Sequence, residues 1–144
     1  NSYEEIRKTI KMIFSFFGIK KETDWDFFIK YSIVKNPDDT YSFNYDSNII
    51  KTVDIHDEFN KTLRGEGAWN LWEKIQIPVL LIWGQFSTML TKNIIDQMKE
   101  TKDISQITVR NAGHTPHLMN DEINDALYSW ISEKEKNIKI DVEI

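Results

Sequence analysis

The run Ile77-Pro78-Val79-Leu80-Leu81-Ile82-Trp83-Gly84 constrains this chain more than any other feature. Pro78 opens it, Gly84 closes it, and everything between them is apolar. A strand with one wet face alternates polar and apolar residues. An unbroken apolar stretch of this length belongs to a strand covered on both faces, as in parallel sheets. Such a strand expects neighbours on both edges. The residues that follow fit this reading. Residues 91–99 place Ile94, Ile95 and Met98 on one helical stripe, and residues 104–109 alternate and carry β-branched residues, which predicts a second strand. Residues 111–116 read as a loop. Asn120 or Asp121 then caps a closing helix that carries Ile123, Leu127, Trp130 and Ile131. Strand, helix, strand, helix is a parallel α/β unit.

The residues ahead of this unit read differently. Ser2 and Glu5 have capping-box spacing, and Ile6, Ile10, Ile13, Phe14 and Phe17 recur at helical intervals up to a stop at Gly18. A second helix is predicted from Thr23 or Asp24 through Trp25, Phe28, Ile29 and Val34. The sequence Asn36-Pro37-Asp38-Asp39 signals a turn, and Tyr41, Phe43 and Tyr45 alternate as a short extended segment or hairpin edge would. Short helices joined by loops are expected from Asp46 to Gly67, and one or two helical turns over residues 69–75. Two firm strands make a poor sheet, since three or more are usually needed. A missing segment or a second copy is therefore expected to complete it. In the tail, residues 133–136 are charged and solvated, while Ile138, Ile140, Val142 and Ile144 alternate as an edge strand or a frayed end would.

Composition narrows the function classes. The chain has 144 residues, enough for one domain, and a net charge of −5, which argues against a nucleic-acid partner. It has no cysteine, which excludes disulfides, thiolate chemistry and cysteine-ligated metal. No apolar run reaches the ~18 residues of a membrane span, and no signal peptide opens the sequence. A cytoplasmic protein is the expectation. The excess of Lys over Arg, with abundant Ile and Asn, points to an AT-rich bacterial genome. The start at Asn1, with helix-forming residues at once and no Met, is expected to be a cut.

Two motifs carry a family resemblance: residues 77–90, running from Ile77-Pro78-Val79 through Gly84-Gln85-Phe86-Ser87-Thr88-Met89-Leu90, and Asn111-Ala112-Gly113-His114-Thr115-Pro116-His117-Leu118. Together they resemble the C-terminal half of the α/β-hydrolase superfamily. There, the first motif is the late strand that delivers the acid of a Ser-Asp-His triad, and the second is the loop that delivers its histidine. The stretch from Asp38 to Asp46 resembles one found in the cap of many bacterial members. The resemblance spans nearly the whole chain. It implies a helical cap-like region over residues 1–75 and the last part of a hydrolase core over 76–144, hence a partial α/β-hydrolase fold.

The resemblance implies His114 as general base. A triad histidine offers one ring nitrogen to a hydroxyl while a carboxylate holds the other and steadies the imidazolium. His117 is the weaker candidate, and His56 reads as a surface residue. The family's acid would stand three or four residues after Gly84, where this chain has Ser87 and Thr88. Asp54, Asp57, Asp96 and Asp103 have simpler readings as caps or solvated carboxylates. No Gly-x-Ser-x-Gly nucleophile elbow occurs in the chain. The aromatics Trp69, Trp72, Trp83, Phe14, Phe16, Phe17, Trp25, Phe27 and Phe28 fit plain core, with an acyl-binding pocket as the alternative.

The implied function is hydrolysis of an ester or related acyl bond by a longer protein, with a small-molecule substrate and a chain that is inert by itself. The competing expectation is a degenerate relative that binds a ligand or partner without catalysis. No metal or organic cofactor is implied, because no ligand cluster or Gly-rich phosphate loop is present. Self-association is expected, by pooling strands or exchanging cap helices.

Overall fold

The computed structural model describes residues 1–46, 48, 68–132 and 139–144. Asp54, His56, Asp57 and nearly all of the expected 46–67 helices lie outside the described residues. Two compact units are present: one joins Asn1–Phe43 to Pro78–Ile144, and the other is Asn44–Ile77.

The larger unit opens with helix α1 (Tyr3–Ile13), started by the full Ser2/Glu5 capping box. The Ser2 backbone N–H donates to the Glu5 carboxylate and holds it below its ordinary pKa. The helix stops sooner than its apolar spacing predicts. A single 3-10 turn, Ser15–Phe17, follows, and Gly18 ends it in the left-handed region at φ 80°. The break lets Phe14 and Phe17 meet each other and Phe28 edge to face, so both rings join a core built on Ile6, Ile10, Ile19, Trp25 and Ile29. Helix α2 (Glu22–Ser32) ends before Val34, which lies in strand β1 (Ile33–Lys35) instead of the predicted helix. The reason is pairing: β1 runs antiparallel to β2 (Tyr41–Phe43), closing a hairpin around the Asn36–Asp39 turn, and β-branched Ile33 and Val34 suit that geometry. The smaller unit holds helix α3 (Ala68–Lys74), which includes Trp69 and Trp72.

The α/β part follows the predicted order: β3 (Val79–Gly84), α4 (Lys92–Thr101), β4 (Ile104–Val109) and α5 (Asp121–Ser132). The tail adds β5 (Asp141–Glu143), so the parallel sheet has three strands in the order β3-β4-β5. The register runs from Val79 opposite Ile104 to Gly84 opposite Val109, and Gln106 lies opposite Asp141. Among the described residues the apolar run has one strand partner, and the second neighbour it expects is not among them. β4 sits between two partners and is almost wholly buried, whereas β3 has one partner and its side chains are half-buried. Continuous apolarity recorded the need for two covered faces, but neighbour count is a tertiary property.

On one face Leu80, Ile82, Ile107 and Val109 meet Ile123 and Ala126 of α5. Ile107 and Ile123 have no solvent exposure at all. Truncation of Ile107 to alanine is expected to cost about 2–5 kcal/mol, read as a lowered urea midpoint at unchanged slope. A loss below about 1 kcal/mol would show that this face is not a packed core. Among the described residues, no helix is long and apolar enough to cross a membrane.

Candidate functional site

The site is assembled from the loops that leave the carboxyl ends of β3 and β4. Adjacent parallel strands bring such loops together, and open α/β sheets place their chemistry there. The loop after β3 is tied down at several points. The Gln85 N–H donates to the Val109 carbonyl at 3.0 Å, and the Phe86 N–H to the Ala112 carbonyl at 2.9 Å. The Ser87 N–H turns back to the Gly84 carbonyl at 2.9 Å. The Trp83 indole N–H reaches the Leu90 carbonyl at 2.8 Å, and the Leu90 N–H donates to Ser87 Oγ at 3.0 Å. Trp83, read from sequence as core or pocket lining, is therefore the anchor of the turn that carries Ser87.

The loop after β4 passes close beneath. A Cβ on Gly84 would lie 1.8 Å from the Gly113 carbonyl oxygen and 2.8 Å from that of Ala112. Only glycine permits this approach. Asn111 takes a left-handed φ of 54°, and its N–H lies 3.4 Å from Gln85 Oε1. From the other side, the Phe16 carbonyl accepts the Gly113 N–H at 2.6 Å, and that of Phe17 accepts the His117 N–H at 3.1 Å. No local pattern signals these contacts, because they join backbone groups far apart in sequence.

His114 stands at the tip of this loop with its ring exposed. Its Nδ1 is 3.0 Å from Ser87 Oγ, so the structure joins the two residues that the motifs single out. Ser87 is 8% exposed, while neighbouring Thr88 is exposed to solvent. Among the described residues no carboxylate forms a hydrogen bond or ion pair with His114. Asp96 pairs with Lys92, and Asp103 with Lys139.

His117 has a different role. Its Nδ1 accepts the Met119 N–H at 3.2 Å, which leaves the proton on Nε2 to meet the Gly18 carbonyl at 3.2 Å. Both ring nitrogens are used in the neutral form. Burial lowers its pKa from the ordinary 6.5; the Gly18 bond and the Asp24 charge oppose this, and Lys20 assists it. A depressed histidine pKa means that the unfolded chain binds the proton more readily. Stability is then present above pH 6.5 and lost as pH falls through the folded value. Denaturation midpoints are expected to fall between about pH 7.5 and about pH 5, with a shallower slope for His117→Gln; equal slopes would contradict this role. An open cleft of about 420 Å³ lies on this side, lined by Lys20, Lys21, Arg110, His117 and Glu122 among others. His114 does not line it.

Trp25 is buried, and Phe14, Phe17 and Phe28 pack against its cluster, so these aromatics are core. Phe16 and Phe27 are about half exposed, at 48% and 56%.

The parallel strands carry a hydroxyl loop and a Gly-His loop at adjoining carboxyl ends, and solved structures show the fold they belong to. A protein of Rickettsia typhi proposed to be a hydrolase superposes with TM-score 0.73 at 35% identity, over 88% of this chain and 41% of its own. An α/β hydrolase from Novosphingobium aromaticivorans superposes with TM-score 0.61 at 18% identity, over 88% of this chain and 44% of its own; at that identity it shows the fold alone. No family model and no curated protein sequence matches significantly. The chain carries a partial α/β-hydrolase fold and spans less than half the length of these two structures.

Proposed function

We propose that this chain is the C-terminal part of a serine-type hydrolase acting on an ester or related acyl bond, and that His114 is its general base. The observation that carries this reading is the Ser87–His114 contact at the carboxyl ends of β3 and β4, held by backbone bonds from both loops. Such a histidine presents Nε2 outward, where a nucleophile hydroxyl would meet it. Residues 1–75 act as the cap-like region and 76–144 as the end of the core; the Phe16 and Phe17 carbonyls support the histidine loop from the cap side. The nucleophile and oxyanion donors belong to a longer protein, which is cytoplasmic, bacterial and free of nucleic-acid and membrane partners.

The test is hydrolysis of short p-nitrophenyl esters. The longer protein is expected to turn them over and residues 1–144 alone to be inert. Turnover by the isolated chain, or none by the longer protein, would overturn the reading. Ser87 in place of a carboxylate favours a second reading, a non-catalytic relative that binds a ligand through the same loops. That reading expects no ester turnover by either form.

The isolated chain is also expected to self-associate through the β3 edge that has no strand partner among the described residues. Light scattering should give a dimer or larger; a stable monomer would contradict this.

A further inference from the structure

We infer that Ser87 is a positioning residue that sets the tautomer of His114, holding the proton on Nε2 and leaving Nδ1 as acceptor. The inference rests on the site reading above only in taking His114 as the functional histidine. It follows from the hydrogen-bond capacity of one hydroxyl. Ser87 Oγ has one hydrogen to give and two lone pairs to fill. The Leu90 N–H fills one lone pair at 3.0 Å, and that amide is fixed because the Leu90 carbonyl is bonded to Trp83. The hydroxyl hydrogen then needs an acceptor. Ser87 is buried, and among the described residues the acceptor within reach of Oγ is His114 Nδ1 at 3.0 Å. The Ser87 O–H therefore donates to Nδ1, and neutral His114 carries its proton on Nε2.

The chemical consequence is a reversal of polarity. A carboxylate at this position accepts from Nδ1–H and leaves an Nε2 lone pair that takes a proton from a hydroxyl. A hydroxyl that donates to Nδ1 turns Nε2 into a donor. In a serine protease triad, exchanging the carboxylate for its amide keeps the geometry but costs about 10⁴ in kcat through the same wrong tautomer. His114 in this chain is accordingly a hydrogen-bond donor toward whatever occupies the site. It becomes a base only when the Ser87 hydroxyl rotates and Nδ1 takes the proton.

Long-range ¹⁵N–¹H NMR on residues 1–144 at about pH 8 reads the tautomer without any activity. The expected spectrum has Nε2 pyrrole-like and Nδ1 pyridine-like for His114. Ser87→Thr, which keeps the hydroxyl, should preserve that pattern, and Ser87→Asp should invert it. Should the aspartate variant fail to fold, Ser87→Ala serves, and is expected to give a mixed tautomer. A wild-type His114 with its proton on Nδ1, or an unchanged pattern in both Ser87→Asp and Ser87→Ala, would overturn the inference. In the longer protein, Ser87→Asp is expected to raise ester turnover at least about tenfold. The two readings fail separately. An Nδ1–H tautomer with ester turnover sinks this inference alone, and an Nε2–H tautomer without turnover sinks the hydrolase reading alone.

Discussion

Gly84→Ala is expected to lower the unfolding free energy by about 3 kcal/mol or more and to separate Ser87 from His114. The added Cβ would sit 1.8 Å from the Gly113 carbonyl oxygen, well inside the 3.0 Å that real Cβ atoms respect. The neighbour that would have to yield is backbone, and it is pinned. The Gly113 N–H is bonded to Phe16, and a Cβ-sized displacement would also strain the Phe86 bond to Ala112. Relief therefore means opening the seam between the loops. Gly113→Ala is the internal control. Its Cβ would meet Phe16 at 3.1–3.2 Å, which a shift of a few tenths of an ångström relieves, so a cost of about 1 kcal/mol is expected. Urea denaturation of the two variants side by side checks the order. Gly84→Ala as stable as wild type would show that the two loops do not approach this closely.

His114→Ala is expected to reduce ester turnover by the longer protein by about 10²-fold while leaving stability nearly unchanged. The activity term follows from the role: without the imidazole no group takes the nucleophile's proton, and oxyanion and binding contributions alone remain. The stability term follows from placement. The residue is exposed, and its one hydrogen bond among the described residues is to Ser87, whose Oγ retains the Leu90 N–H when the ring is gone. The same substitution thus separates a catalytic histidine from a structural one. His117, with both nitrogens bonded and its ring partly buried, is expected to behave oppositely. Its replacement should lower stability more than His114→Ala does. Unchanged turnover in His114→Ala would remove the functional assignment.

What could be read from the chain before its structure was mostly local chemistry. The Ser2/Glu5 cap, the Asn36–Asp39 turn, strand β3 and helices α4 and α5 each depend on residues within a few positions of one another, and each is present. Pairing across the fold was less legible. Val34 looked helical by spacing and went to a strand because Ser42 lies opposite it. Among the described residues the strongest apolar run has one strand partner, and the tail, read as an edge strand or a frayed end, supplies β5. The site divides along the same line. His114 and the Ser87 position were visible through the two motifs, since each motif is contiguous. The Trp83–Leu90 bond, the Gly84–Gly113 approach and the Phe16 support were not, because backbone carbonyls and missing side chains leave no trace in residue type.

The role proposed for His114 is to activate a serine nucleophile in the longer protein. Labelling with a fluorophosphonate, followed by mass spectrometry of the modified peptide, measures this directly, because the probe reacts with a serine made nucleophilic by a neighbouring base. The expected result is one modified serine outside residues 1–144, with labelling lost in His114→Ala and strengthened in Ser87→Asp. Labelling that persists at the same rate in His114→Ala, or a longer protein that hydrolyses esters without being labelled, would contradict it.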